Sequence, residues 1–212
     1  QIDEGSPLRL RFREGGSQYD IYAVRSAGID PVSGQEIFIK QNGEETFKYD
    51  PNDEVVVGNT QPKLQGTWLN TLRYKGWSLN FVFSYTFGGD TYNKTLWEKV
   101  EDIDPRYNVD ERAFTDRWKN PGDLSRYLAI KENKKVDSYS SERFVERLNE
   151  LWLSSATLTY EFQSKFLRRI GFKRLAVGVG VTDLVRFSTV KYERGTSYPY
   201  CRTINLTLRP TF

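Results

Sequence analysis

The chain has 212 residues, 31 basic and 28 acidic side chains, a net charge of +3, no His and a single Cys. Balanced, interspersed charge excludes the basic stripe of a nucleic-acid binder. The lack of His excludes His-centred acid–base chemistry and His metal sites, and Cys201 alone allows neither an internal disulfide nor a Cys–His nucleophile pair. Mean hydropathy is low at −0.64, and no stretch approaches the ~20 apolar residues of a membrane-spanning helix. The opening at Gln1, without Met or a leader pattern, leads to the expectation of a processed chain or one cut from something longer.

In chain order, residues 1–65 are the hardest to read. Leu8, Leu10 and Phe12 alternate with Arg9, Arg11 and Arg13, as at the end of a strand. Tyr19–Arg25 and Glu36–Lys40 read as strands around a turn at Asp30–Gly34. Asn42-Gly43 marks a further turn before Thr46–Tyr49. Asp50, Asp53 and Glu54 are carboxylate-rich, but Val55 and Gln61 stand where a calcium-loop Gly and Glu belong. A solvated turn is the simpler reading there.

Residues 66–88 form a predicted hairpin. In Trp77–Phe87, Trp77, Leu79, Phe81, Phe83, Tyr85 and Phe87 fall on one face; Ser78, Asn80, Ser84 and Thr86 fall on the other with Val82. Successive strand side chains point to opposite faces, so one face is greasy and the other mostly small and polar. Gly66–Lys75 alternates less strictly, and Lys75-Gly76 is a two-residue turn between the runs.

Residues 89–150 read as one long loop. Within it, Asp110–Lys119 is predicted as a short helix, with Asp110 as cap and Asn120-Pro121-Gly122 as stop. Its aromatics Tyr92, Trp97, Tyr107, Trp118 and Tyr127 are the candidate ligand-binding residues, since rings beside polar groups suit sugars or peptides. Internal packing of a folded loop is the competing account. Paired carboxylates such as Asp102 with Asp104 are a weak basis for glycosidase chemistry, because sequence proximity does not set the separation such catalysis needs. No catalytic residue, metal ligand or cofactor site is assigned.

Residues 151–212 hold three more alternating runs: Leu151–Phe162, Lys173–Asp183 and Cys201–Phe212. Gly178 and Gly180 lie inside a strand pattern and open no helix, so they are not a phosphate loop. The last run alternates to the end of the chain, with Leu206, Leu208 and Phe212 on one face. These three are the candidate assembly signal of an outer-membrane strand. The runs are near the ~9–11 residues that a tilted strand needs to cross a bilayer, and aromatics cluster at their ends, as in interfacial girdles. Connections alternate between short and long, as periplasmic turns and extracellular loops do. The predicted fold is all-β: an antiparallel transmembrane β-barrel segment with long extracellular loops.

Several stretches resemble the SusC/RagA family of TonB-dependent outer-membrane transporters of Bacteroidetes. They are Ala27–Gly34, Val57–Pro62, Leu72–Leu79, Phe83–Gly89, Arg117–Gly122 and the terminal strand. The resemblance implies the last strands of a 22-stranded barrel in the outer membrane, and the alternation of short and long connections fits a periplasmic C-terminus. It implies import of oligosaccharides or peptides with a SusD-like surface lipoprotein. It also implies an N-terminal plug and a TonB-contacting segment, expected to lie outside this chain. The alternative is a soluble β-rich carbohydrate-binding module of a secreted or surface protein, whose apolar faces would pack against each other. A membrane wall would instead turn them outward.

Overall fold

A computed structural model describes residues 14–104, 106–130, 141–162, 171–191 and 203–212. The chain divides into two units. One takes Gln1–Gln61, Gly89–Leu148 and Val190–Gly195; the other takes Pro62–Gly88, Asn149–Thr189 and Thr196–Phe212. The expected strand at Leu8–Arg13, most of the turn after Phe162, and much of the connection before the last strand lie outside the described residues.

The second unit is a five-stranded antiparallel sheet. Its strands are β6 (Leu64–Tyr74), β7 (Trp77–Tyr92, of which the part to Gly88 belongs here), β8 (Val145–Phe162, from Asn149), β9 (Arg174–Ser188) and β10 (Thr203–Thr211). They lie in the order β10-β9-β8-β7-β6, so each strand neighbours the next in sequence. The β6–β7 register runs from Leu64 opposite Phe87 to Tyr74 opposite Trp77. Lys75 and Gly76 close this hairpin with positive φ at both residues (44° and 87°), the backbone that matches strand twist. The Glu161 N–H donates to the Gly76 carbonyl at 2.9 Å, which aligns β8 against β7. Within this unit the strands run from 9 to 15 residues, which exceeds the ~5–6 typical of soluble sheets and suffices to cross a bilayer at a tilt.

β9 carries a bulge. Ser155 pairs with Thr182 but Leu153 pairs with Val185, so Ser154 faces two residues, Asp183 and Leu184. Asp183 adopts φ 56°, which absorbs the extra residue. Beyond the bulge the alternation of β9 inverts. The Arg186 guanidinium lies 5.8 Å from the Trp152 ring, while Val185 and Phe187 pair with Leu153 and Leu151 on the other face.

The first unit has short strands: β1 (Asp20–Ala23) pairs with β5 (Val55–Asn59), and β2 (Arg25–Ile29), β3 (Glu36–Ile39) and β4 (Glu45–Thr46) form a three-stranded sheet. The expected turn at Asp30–Gly34 joins β2 to β3, with Gly34 N–H donating to the Asp30 carbonyl. The predicted strand from Thr46 is only Glu45–Thr46.

Two expected boundaries move. β7 continues past Gly89 to Tyr92 and β8 begins at Val145, so the segment between strands is shorter than the predicted 89–150. Gly88, at φ 83°, interrupts the alternation and hid the continuation from the pattern. The Asn93 N–H still donates to the Phe144 carbonyl at 2.7 Å. Between them lie α1 (Lys94–Leu96), a five-residue π turn at Trp97–Glu101, and α2 (Arg112–Thr115). The predicted Asp110–Lys119 helix is thus confined to its first turn, where the Asp110 carboxylate accepts from the Arg112 N–H. It stops because the Asp116 carbonyl accepts from Arg126 and Tyr127, and because Arg117 is drawn inward.

Candidate functional site

The sheet unit is organised around an apolar face turned to solvent. One row crosses all five strands: Leu72 opposite Leu79, then Leu158, then Val179, then Leu206. The Gly76–Glu161 bond sets Leu158 across from Leu79. Leu72 is 57% exposed and Leu206 is 81% exposed. Trp68, 59% exposed, stacks on Phe83 with ring centres 6.0 Å apart. A side chain of this size withdrawn from water contributes roughly 1.5–3 kcal/mol, so an apolar face left this open marks a binding or membrane surface.

The opposite face is small and polar. Its central row runs Thr71, Asn80, Thr157, Gly180 and Asn205, and the Thr71 hydroxyl donates to Asn80 at 2.7 Å. A Cβ built on Gly178 would sit 3.0 Å from the Thr159 hydroxyl, which accounts for glycine there. The predicted assembly residues Leu206, Leu208 and Phe212 are all exposed. Leu206 and Leu208 stand on the apolar face, and Phe212 contacts the Phe172 ring at 5.0 Å.

The loop unit is built the other way round. Tyr92, Leu96, Trp97, Val100, Ala113, Tyr127 and Phe144 form its buried core. Three of the five candidate ligand-binding rings, Tyr92, Trp97 and Tyr127, are therefore packed in this core. Trp118 is half-buried: its indole N–H donates to the Pro31 carbonyl at 2.8 Å, and its ring covers Gly34 so closely that a Cβ there would lie 2.5 Å away. Tyr107, 72% exposed, is the one of the five open to solvent. The structure does not bring the five together as one surface.

Sequence reasoning missed a buried ionic clasp. Arg143 donates to Glu36 at 2.8 Å, to Glu101 at 2.9 Å and to the Arg126 carbonyl at 2.7 Å. The Ser141 hydroxyl donates to Glu36, and the Leu128 N–H donates to Glu101. Arg117 caps the carbonyls of Ala113, Val100, Glu101 and Leu128. Burial opposes the charge of Arg143, but the Glu36 and Glu101 carboxylates outweigh it and hold its pKa above the ordinary arginine value. Arg117, held mainly by carbonyl dipoles, is lowered by burial. Tyr127 is raised, chiefly by burial. Arg117 and Glu36 lay in stretches singled out from the sequence, neither of them for this contact. Glu36, Glu101 and Arg143 are far apart in the chain and carry no local signal.

A cavity of about 260 Å³ opens beside this clasp, lined by Gly28, Leu96, Ser125, Arg126, Tyr127 and Arg143. The carboxylates of the Asp50–Glu54 turn serve the fold: Asp50 accepts from Asn52 N–H, Asp53 from Gln41 N–H, and Glu54 from the Tyr49 hydroxyl. Among the described residues no group of three His, Cys, Asp or Glu is arranged to hold a metal.

Long antiparallel strands with a bare apolar face on one side and a polar face on the other define the class of protein: this is the strand pattern of an outer-membrane β-barrel wall. No family model matches the chain. It is 28% identical over 185 residues to the TonB-dependent receptor P39 of Formosa agariphila, a match covering 84% of this chain and 18% of that protein. The fold matches the RagAB peptide importer in its open-open state with a TM-score of 0.63 at 17% identity, covering 82% of this chain and 19% of that one. The closed-closed state gives 0.55 at 16% identity, covering 82% and 20%. The chain thus spans about one fifth of the length of the proteins it matches. The aligned relative is a TonB-dependent receptor and the shared fold is that of the RagAB importer, both in line with the resemblance that the motifs carry.

Proposed function

We propose that this chain supplies part of the wall and extracellular loops of a 22-stranded TonB-dependent outer-membrane barrel that imports oligosaccharides or peptides. The observation that carries this reading is the row Leu72–Leu79–Leu158–Val179–Leu206, apolar across five strands and largely exposed. In the bilayer that row meets acyl chains, while Thr71, Asn80, Thr157 and Asn205 face the lumen. Among the described residues, β6 and β10 each have one unpaired edge in this sheet. In lipid an open edge leaves backbone groups unsatisfied, so both edges pair with further strands of the closed barrel. Plug, TonB contact and energy input belong to other parts of the protein, and the loop unit contributes to ligand capture together with a SusD-like lipoprotein. The C-terminus lies on the periplasmic side, together with the Lys75-Gly76 turn.

Cysteine accessibility tests the assignment in the full-length protein in intact outer membranes. Cysteines placed at Asn80, Thr157 and Asn205 are expected to react with a small membrane-impermeant maleimide. Those at Leu79, Leu158 and Leu206 are expected to resist it and to react with a lipid-soluble one. Equal labelling of both sets by the impermeant reagent would remove the barrel-wall reading and favour a soluble sheet.

A further inference from the structure

Resting on that reading, we infer that the end of the sheet at the Lys75-Gly76 turn holds the phosphate headgroup of an anionic phospholipid, with Lys75 and Lys173 as the binding cations. Four observations meet there. First, the apolar face ends at this edge in a belt of rings: Trp77 lies 4.6 Å from Tyr160, Tyr160 lies 4.6 Å from Phe162, and Phe172 lies 5.0 Å from Phe212. Aromatic belts of this kind sit at headgroup level. Second, both lysines are exposed beside the belt. Lys75 lies 5.1 Å from the Tyr74 ring, and Lys173 anchors through its N–H to the Thr211 carbonyl at 2.7 Å. A lysine there runs its stem along apolar surface and lifts its ammonium to the phosphates.

Third, the acidic group of this edge stands elsewhere. Leu175 belongs to the apolar face, so Arg174 and Glu161 stand on the polar face, where they pair at 3.4 Å. No carboxylate among the described residues pairs with Lys75 or Lys173. Fourth, Lys75 occupies a position that does not favour lysine. Its φ of 44° is left-handed, and in a two-residue turn of this type Asn, Asp or Gly is preferred. A side chain kept against its backbone preference points to a role for the side chain.

The occupant is a phospholipid and not a free anion, because the cations border an exposed apolar belt that acyl chains fill and phosphate ions do not. Each lysine near a charged lipid surface is expected to raise retention about fivefold, and the two together ~30-fold. The test is native mass spectrometry of the full-length protein in detergent, titrated with phosphatidylglycerol and with phosphatidylcholine. Wild type is expected to retain phosphatidylglycerol preferentially. Lys75→Asn and Lys173→Gln are each expected to lower that preference, and the double variant to abolish it. Lys63→Gln, at the opposite end beside Gly88, serves as the control and is expected to change nothing.

Lys75→Asn separates binding from structure. It relieves the turn, so its melting temperature is expected to hold or rise while lipid retention falls. Unchanged phosphatidylglycerol retention in the double variant overturns the inference. So does displacement of the lipid by millimolar inorganic phosphate, which would mean a site for a free anion. Both results leave the cysteine-labelling pattern, and with it the barrel-wall reading, standing or falling on its own.

Discussion

The two units of this chain use the same side chains in opposite ways. In the loop unit, Tyr92, Trp97, Tyr127 and Phe144 are gathered inside and the strands are two to five residues long. In the sheet unit, Trp68, Leu72, Trp77 and Leu206 are exposed and the strands reach 15 residues. One unit hides apolar surface from water and needs its few buried charges matched. The other shows apolar surface and needs a non-aqueous neighbour. Composition averages the two and reports a polar protein, which is why mean hydropathy misleads here and periodicity does not.

The comparison can be broken most forcefully at the clasp. Arg143→Ala leaves Glu36 and Glu101 buried without their partner, and breaking a buried pair this way costs about 3–5 kcal/mol. Limited proteolysis is expected to cut the loop unit while barrel assembly persists; loss of assembly with an intact loop unit would contradict the contrast. Next comes Phe83→Lys on the apolar face, expected to cost about 2–4 kcal/mol near the bilayer midplane. The readout is the folded fraction of full-length protein in the outer membrane. A wild-type fraction would mean that this face does not meet lipid.

Gly34→Ala is expected to cost less, roughly 1–3 kcal/mol from forced repacking, because its methyl meets the Trp118 ring and its φ is 68°. A lowered unfolding midpoint of the loop unit checks this, and an unchanged midpoint means the ring is not seated on that turn. The smallest effect is alkaline. The Tyr127 phenol has a raised pKa in the folded chain, so the folded state favours its neutral form. That contribution is fully present below the unfolded value of about 10 and is lost as pH rises through the folded value. Tyr127→Phe is expected to raise the pH of alkaline unfolding; an unchanged midpoint would locate the sensitivity elsewhere.

What the sequence made legible follows from how local each signal is. The strands announced themselves because a greasy/polar alternation over ten residues needs no distant partner to be read. The Lys75-Gly76 turn was legible for the same reason. The clasp was not, since Glu36, Glu101 and Arg143 meet only after the chain folds across more than a hundred positions. The loop aromatics show the limit from another side. A Trp or Tyr between polar residues reads the same whether it will face a ligand or a core, and only packing around Val100 and Ala113 distinguishes them. The continuation of β7 beyond Gly88 was masked by two glycines that carry no periodic information.

The inserted residue at Asp183 acts as a crossover for everything that follows it on β9. Below it, valines stand on the apolar face and glycines on the polar one; above it, Arg186 stands on the apolar side and Phe187 on the polar side. Phe187 and Leu151 then bring an apolar patch onto the side otherwise lined with hydroxyls and amides. Removing Asp183 would restore strict alternation, swing Phe187 to the apolar face and place the Arg186 guanidinium on the polar one. A single codon thereby decides at what height the sheet exchanges its two surfaces.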